Sequence, residues 1–134
     1  MTRVDSNIFF DLLIPNPAWY AWSVTQIDYA TAKGPVLIND IVYAELCAHF
    51  ELQDEMDDFV ADLGLVHARM PNEALFAAAN AFKRLKARGS SRTSILPDFF
   101  IGAHAAALAC PILTRDARRY RSYFPRVALI TPQT

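Results

Sequence analysis

The chain reads as a single α/β domain over residues 1–134, a central parallel sheet flanked by helices. Three features predict this. Short apolar stretches alternate with longer helical ones along the whole length, the pattern of strands joined by helical crossovers. The strand candidates are apolar without alternation, Val36-Leu37-Ile38 most clearly, as expected where helices cover both faces of a sheet. Finally, 134 residues suffice for one core, and no repeat, low-complexity tract or linker divides them.

In chain order, Thr2–Asp5 is a short strand. Ser6 or Asn7 offers a cap for a helix from Ile8 to about Ile14, broken by Pro15 and Pro17. Ala18 to Lys33 is a second helix, ended by Gly34-Pro35. After the Val36–Ile38 strand, Asn39 or Asp40 caps a helix reaching about Leu52; Asp54–Leu63 is another, stopped at Gly64. Leu65 to about Arg69 is extended. Asn72 caps a helix to about Arg88, with Leu75, Ala79, Phe82 and Leu85 as its expected core stripe. Gly89–Leu96 is a loop rich in Ser, Thr and Arg. Pro97–Ala109 is a nearly all-apolar helix, Pro111–Thr114 a strand, Asp116 to about Arg121 a short helix and Val127–Ile130 a last strand.

A net charge of −1 conceals a strong polarity. From Lys83 onward there are ten Lys/Arg and only two acids, Asp98 and Asp116; residues 1–82 hold three bases and twelve acids. A cationic half carrying isolated carboxylates suggests metal-assisted chemistry on a polyanion, with nucleic acid the natural candidate. The apolar share of 53%, with nine Phe, five Tyr and two Trp, fits a folded globule with aromatic surface left for a partner. No run approaches the roughly 18 uncharged apolar residues of a membrane span, and Met1–Asp5 leads straight into a strand. A soluble, cytoplasmic protein without membrane attachment is the expectation. Cys47 and Cys110 lack C-x-x-C spacing and are expected as reduced, buried thiols. His49, His67 and His104 lack ligand spacing, which argues against zinc.

The carboxylates carry the functional reading. In a parallel sheet, ligand sites form beyond the carboxyl ends of the strands. Asp5 closes the first strand and Asp116 lies just past Thr114 at the end of another. Glu45 falls in the helix after Val36–Ile38, and Asp98 opens an apolar helix, so all four can meet at one sheet edge. Asp5, Asp98 and Asp116 also have ordinary roles open to them as caps or first-turn acids. Glu45 and Asp98 resist such readings better, because their helical neighbours are apolar and burial without a partner is costly. A hard divalent cation held by oxygen ligands is the simplest source of the missing positive charge.

These residues match a known pattern. Val4-Asp5-Ser6-Asn7-Ile8 resembles the opening strand and D-x-N turn of PIN-domain ribonucleases, and Tyr43-Ala44-Glu45-Leu46 their helix-borne glutamate. The stretches Pro97-Asp98-Phe99-Phe100-Ile101-Gly102-Ala103-His104-Ala105 and Leu113-Thr114-Arg115-Asp116-Ala117-Arg118-Arg119-Tyr120 resemble the third and fourth acidic motifs. Order, spacing and length are similar to the VapC toxins of bacterial toxin–antitoxin pairs. The resemblance implies a PIN-like domain over residues 1–134 and a Mg²⁺- or Mn²⁺-dependent endoribonuclease. Asp5, Glu45, Asp98 and Asp116 would be the metal-binding, catalytic acids, with Asn7 and Thr114 as supporting polar groups. It also implies a VapB-like antitoxin as protein partner, with a tail lying in an apolar groove, and a homodimer. Cys110 departs from the pattern, standing where many relatives have Gly at the helix-to-strand turn.

Arg92, Arg115, Arg118, Arg119 and Arg121 lie near the acids in sequence and are the candidates for RNA phosphate contacts, while Lys83 and Lys86 read as a solvated face. Tyr120, Tyr123 and Phe124 either stack on bases or pack in the core. Phe9, Phe10, Trp19, Tyr20 and Trp22 divide between core and partner interface. His104 is expected as a hydrogen-bonded core imidazole. Two rival functions stand beside the nuclease. One is a non-catalytic RNA- or protein-binding module of the same fold. The other is an aspartate-nucleophile phosphatase, disfavoured because position 7 is Asn rather than a second acid.

Overall fold

The computed structural model of the chain describes residues 1–91 and 96–132, so Arg92 lies outside the described residues. The strands are β1 (Thr2–Val4), β2 (Val36–Ile38), β3 (Leu65–His67), β4 (Ile112–Leu113) and β5 (Leu129–Ile130). The helices are α1 (Ser6–Leu13), α2 (Tyr20–Lys33), α3 (Asp40–Cys47), α4 (Gln53–Asp62), α5 (Asn72–Ala87), α6 (Pro97–Leu108) and α7 (Arg118–Tyr123). All neighbouring strands run parallel, in the order β3-β2-β1-β4-β5. From β1 the chain winds outward through β2 and β3, then crosses back to place β4 on the other side of β1. The winding direction therefore changes between β1 and β4, where a parallel sheet opens a crevice at its carboxyl edge. Asp5 sits there, its N–H donating to the Leu113 carbonyl at 2.9 Å.

The sheet is short because its strands need only carry the apolar centre of two helical layers. Val4, Val36, Ile38, Ile112 and Leu113 are fully buried, with Ile8, Phe9, Leu46, Met56, Phe99 and Ile101 packed around them. Asn39 caps α3 through its side chain, accepting from the Val42 N–H at 2.8 Å. Asp5 occupies the position before α1 without using its carboxylate as a cap, so that group is left for other contacts.

The core stripe of α5 differs from expectation in part. Ala74, Ala78 and Ala81 are buried, whereas Leu75 is exposed and Phe76 keeps 67% of its surface in solvent. The reason lies in its neighbour: α5 packs along α6, whose buried face includes Gly102, Ala103 and Ala105. Small side chains let the two axes approach; Leu75 and Phe76 are turned outward, while Phe82 and Leu85 pack partly against the core as expected. Gly102 also has no room for a side chain, because a Cβ there would stand 2.3 Å from the Phe124 ring. The turn at Cys110 is made by the preceding residue: Ala109 ends α6 in the left-handed conformation, φ 51 and ψ 44.

Among the aromatic residues, Phe9 and Tyr120 are buried and Phe124 nearly so. Phe10 and Trp22 pack partly against the core, and Tyr123 meets Phe99 edge-on at 5.0 Å. Of the two roles open to Tyr120, Tyr123 and Phe124, packing prevails. Tyr20 and Tyr29 on α2 are left largely in solvent. Both cysteines are free, Cys110 buried and Cys47 half-buried. No described helix is long and apolar enough to cross a membrane.

Candidate functional site

At the β1–β4 crevice, Asp5 is buried and its two oxygens are treated differently. Oδ2 accepts from the Thr114 hydroxyl and the Tyr120 phenol, each at 2.9 Å, and from the Asn7 amide at 3.4 Å. Oδ1 accepts from the Ser6 hydroxyl at 3.4 Å. The same hydroxyl lies 3.4 Å from Glu45 Oε2. One hydroxyl proton cannot serve both carboxylates at once. The other Glu45 oxygen, Oε1, is buried with no hydrogen-bond partner among the described residues. Burial, opposed by the Thr114 and Tyr120 hydrogen bonds, pushes the Asp5 carboxyl up, and the charge of Asp98 adds to that. Burial likewise raises the Glu45 carboxyl, followed by the charges of Asp5 and Asp98. The acids at the end of β1 and on α3 and α6 thus feel one another's charge, which holds the Asp5 and Glu45 carboxyls above their ordinary range.

Asp98, in the first turn of α6 behind Pro97, accepts from Arg119 Nη1 at 3.0 Å. Asp116 is exposed, and its Oδ1 accepts from the Arg118 N–H at 3.3 Å, a capping contact on α7. It is tied to the other acids through Thr114, whose hydroxyl accepts from the Asp116 N–H at 3.0 Å while donating to Asp5. Asn7 completes this hub, donating to Thr114 Oγ1 at 3.2 Å and accepting from the Arg115 N–H at 3.2 Å. Among the described residues, no three His, Cys, Asp or Glu side chains already enclose a point where a cation could sit. The donor set nonetheless fits a hard divalent ion: every candidate ligand is an oxygen, Glu45 Oε1 is unpartnered, and Asp5 Oδ1 is nearly so.

The arginines divide by occupation. Arg115 is not available as expected, because it forms a bidentate pair with buried Asp11, 2.7 and 2.8 Å, beneath a second bond from Ser23 to Asp11 at 2.6 Å. Its guanidinium also lies over the Trp19 ring at 5.1 Å. This correction has a simple cause: Asp11 faces inward on α1 and requires a cation. Arg118 and Arg121 are exposed on α7, and Arg119 holds Asp98. Arg84 and Arg88 reach the Tyr123 carbonyl and the Ser122 hydroxyl, bracing the end of α7.

Sequence reasoning passed over Ser6 and Tyr120 as partners of the acids, and Arg3 altogether. Tyr120 is held far above its usual pKa by burial and then by Asp5, so it stays a donor to that carboxylate. Arg3 is fully buried in β1, Nη1 donating to the Leu37 carbonyl at 2.7 Å. Nothing in a tripeptide Arg3-Val4-Asp5 announces a buried guanidinium. His104 is buried as expected but without the expected hydrogen bond: neither ring nitrogen has a partner among the described residues. Burial first, then the charge of Arg3, lowers its pKa to about 4, which keeps it neutral.

The family model of the PIN domain matches residues 3–128. No curated protein sequence matches the chain. Among solved structures, the VapBC2 complex of Rickettsia felis bound to a DNA fragment from its promoter is similar, with TM-score 0.72, 17% identity and 97% of each chain covered. So is VapBC-1 from nontypeable Haemophilus influenzae, at TM-score 0.72 and 16% identity over 97% of this chain and 96% of the other. FitAcB from Neisseria gonorrhoeae has TM-score 0.68 and 19% identity over 97% and 96%. At such identities the likeness is one of fold. The family match runs from β1 to the turn before β5 and takes in Asp5, Glu45, Asp98 and Asp116, so the chain belongs to the PIN domain family.

Proposed function

We propose that the chain is a VapC-type toxin, a Mg²⁺- or Mn²⁺-dependent endoribonuclease that hydrolyses RNA phosphodiester bonds. The observation that carries this reading is the meeting of Asp5 and Glu45 at the Ser6 hydroxyl, with Glu45 Oε1 buried and unpartnered among the described residues. Asp5 through Oδ1, Glu45 and Asp98 would hold the ion, with Asp116 reached through Thr114. When bound, it supplies Lewis-acid polarisation of the scissile phosphate and of the attacking water. Thr114, Asn7 and Tyr120 fix Asp5 by engaging Oδ2, so that Oδ1 faces the crevice. Exposed Arg118 and Arg121 on α7 would receive backbone phosphates without reading the bases. The expected products carry a 3′-hydroxyl and a 5′-phosphate.

A VapB-like antitoxin would neutralise the enzyme. A groove of about 370 Å³ between α3 and α4, lined by Tyr43, Cys47, Phe50, Leu52 and Met56, suits the apolar tail of such a partner. Exposed Leu75 and Phe76 on α5 suit a homodimer contact.

One observation favours a second reading, a non-catalytic RNA- or protein-binding member of the fold: Asp98 is already paired with Arg119. Incubating the purified chain with single-stranded RNA, Mn²⁺ and, separately, excess chelator distinguishes the two. Cleavage should require the ion and fall by at least about 100-fold in Asp98→Asn, at unchanged circular dichroism. Cleavage surviving both chelation and Asp98→Asn would rule out the metal mechanism, and no cleavage in Mn²⁺ would leave the binding module.

A further inference from the structure

Resting on the metal-dependent reading above, we propose that Arg119 is an internal counter-cation that holds Asp98 until a divalent ion replaces it, coupling metal loading to release of the guanidinium. Three consecutive residues of α7 each engage a different acid. The Arg118 N–H donates to Asp116, Arg119 Nη1 to Asp98 and the Tyr120 phenol to Asp5. Tyr120 is buried and anchors the helix, so Arg119 is held at the rim by its backbone and only its side chain is free to leave.

The character of the pair suits departure. It is a single contact of 3.0 Å, with 45% of the Arg119 side chain and 27% of that of Asp98 in solvent. Arg115 shows the opposite design, two contacts to a carboxylate only 3% exposed. Exposed single-contact pairs are weak, whereas buried bidentate ones persist. With Asp98 paired to Arg119, no three acids among the described residues enclose a common point. Rotation of Asp98 away from Arg119 would let it join Asp5 and Glu45, whose carboxyls already sense its charge. One cation then exchanges for another. The liberated guanidinium remains at the rim, positioned for a phosphate. By linkage, whatever favours the free guanidinium also favours the bound ion.

Calorimetric titration with Mn²⁺, at fixed pH and ionic strength, tests this on the full-length protein. Arg119→Met should bind Mn²⁺ roughly two- to fivefold more tightly than the parent, the factor expected from losing a partly exposed ion pair. Arg119→Gln should shift in the same direction and guards against an effect peculiar to Met. Arg118→Met removes equal charge one residue away without touching an ion pair to an acid, and should change the affinity less. Unchanged or weaker binding in both Arg119 variants would overturn the proposal, as would an equal gain in Arg118→Met. If the parent protein binds no Mn²⁺ at all, the metal-dependent reading falls and takes this proposal with it; if it binds and only the Arg119 effect is missing, the nuclease reading stands.

Discussion

Ser6 has one hydroxyl proton and two carboxylates within 3.4 Å, so at neutral pH Asp5 and Glu45 compete for it. Both carboxyls are raised, Glu45 chiefly by burial and then by Asp5, from an ordinary value of 4.5. A folded-state pKa above the unfolded one means that the native state holds the proton more tightly. Stability is therefore highest with the proton on, and declines as pH rises through the raised value. Glu45→Gln should accordingly raise the thermal midpoint of the metal-free protein at pH 7 and flatten that decline, with little difference below pH 4.5. Thermal melts in chelator across this range measure it, and a variant less stable than its parent at pH 7 would contradict the electrostatic account. The Asp11–Arg115 pair behaves differently, because both members are needed by the fold. Arg115→Met leaves a buried carboxylate with Ser23 as its remaining partner among the described residues and should cost about 3 kcal/mol in urea denaturation. Adding Asp11→Asn should recover part of that loss.

The elements explain why contacts among residues so far apart are fixed. Helix α6 presents Gly102, Ala103 and Ala105 to its neighbours, which lets Phe124 lie against Gly102 and seats α7 beside the acids. Ala109 terminates this helix with positive φ, a conformation that strains any residue with a Cβ. Ala109→Gly should relieve it and stabilise the protein by about 0.5–1 kcal/mol, read as a higher urea midpoint at constant slope. A lower midpoint would mean that chain entropy outweighs the relieved strain. Helix α7 is only six residues long yet contributes a backbone N–H, a guanidinium and a phenol to three acids. Arg84 of α5 and Arg88, which follows that helix, hold the far end of α7. The basic half of the chain thus spends several charges on architecture rather than on a surface for RNA.

Across the whole molecule, the two halves of opposite charge lie on different elements: the acids of α4 are exposed, while α5 and α7 carry six of the 13 Lys/Arg. Such separation would steer the proposed polyanionic substrate toward the α7 side of the crevice. The outward face of α5 bears Phe76, which a protein working alone would have little reason to expose. If that face joins two copies, Phe76→Asp should convert a dimer to a monomer in analytical ultracentrifugation without lowering the thermal midpoint of the monomer. A dimer that persists at micromolar concentration would move the interface elsewhere.

The sequence alone determined the alternation of strands and helices, the parallel sheet and the order of the acidic motifs, because apolar runs and caps act over a few residues. Pro97 at the head of α6 and Asn39 before α3 were visible for that reason. Only the tertiary structure decided that Arg115 serves Asp11, that Tyr120 and Ser6 serve Asp5, and that Arg119 faces Asp98. The same holds for Ala74, Ala78 and Ala81 taking the fully buried positions of α5 while Leu75 stays exposed. Each of these depends on which distant segment arrives alongside, and a buried charge or close helix contact acquires its partner only when the chain has closed around it.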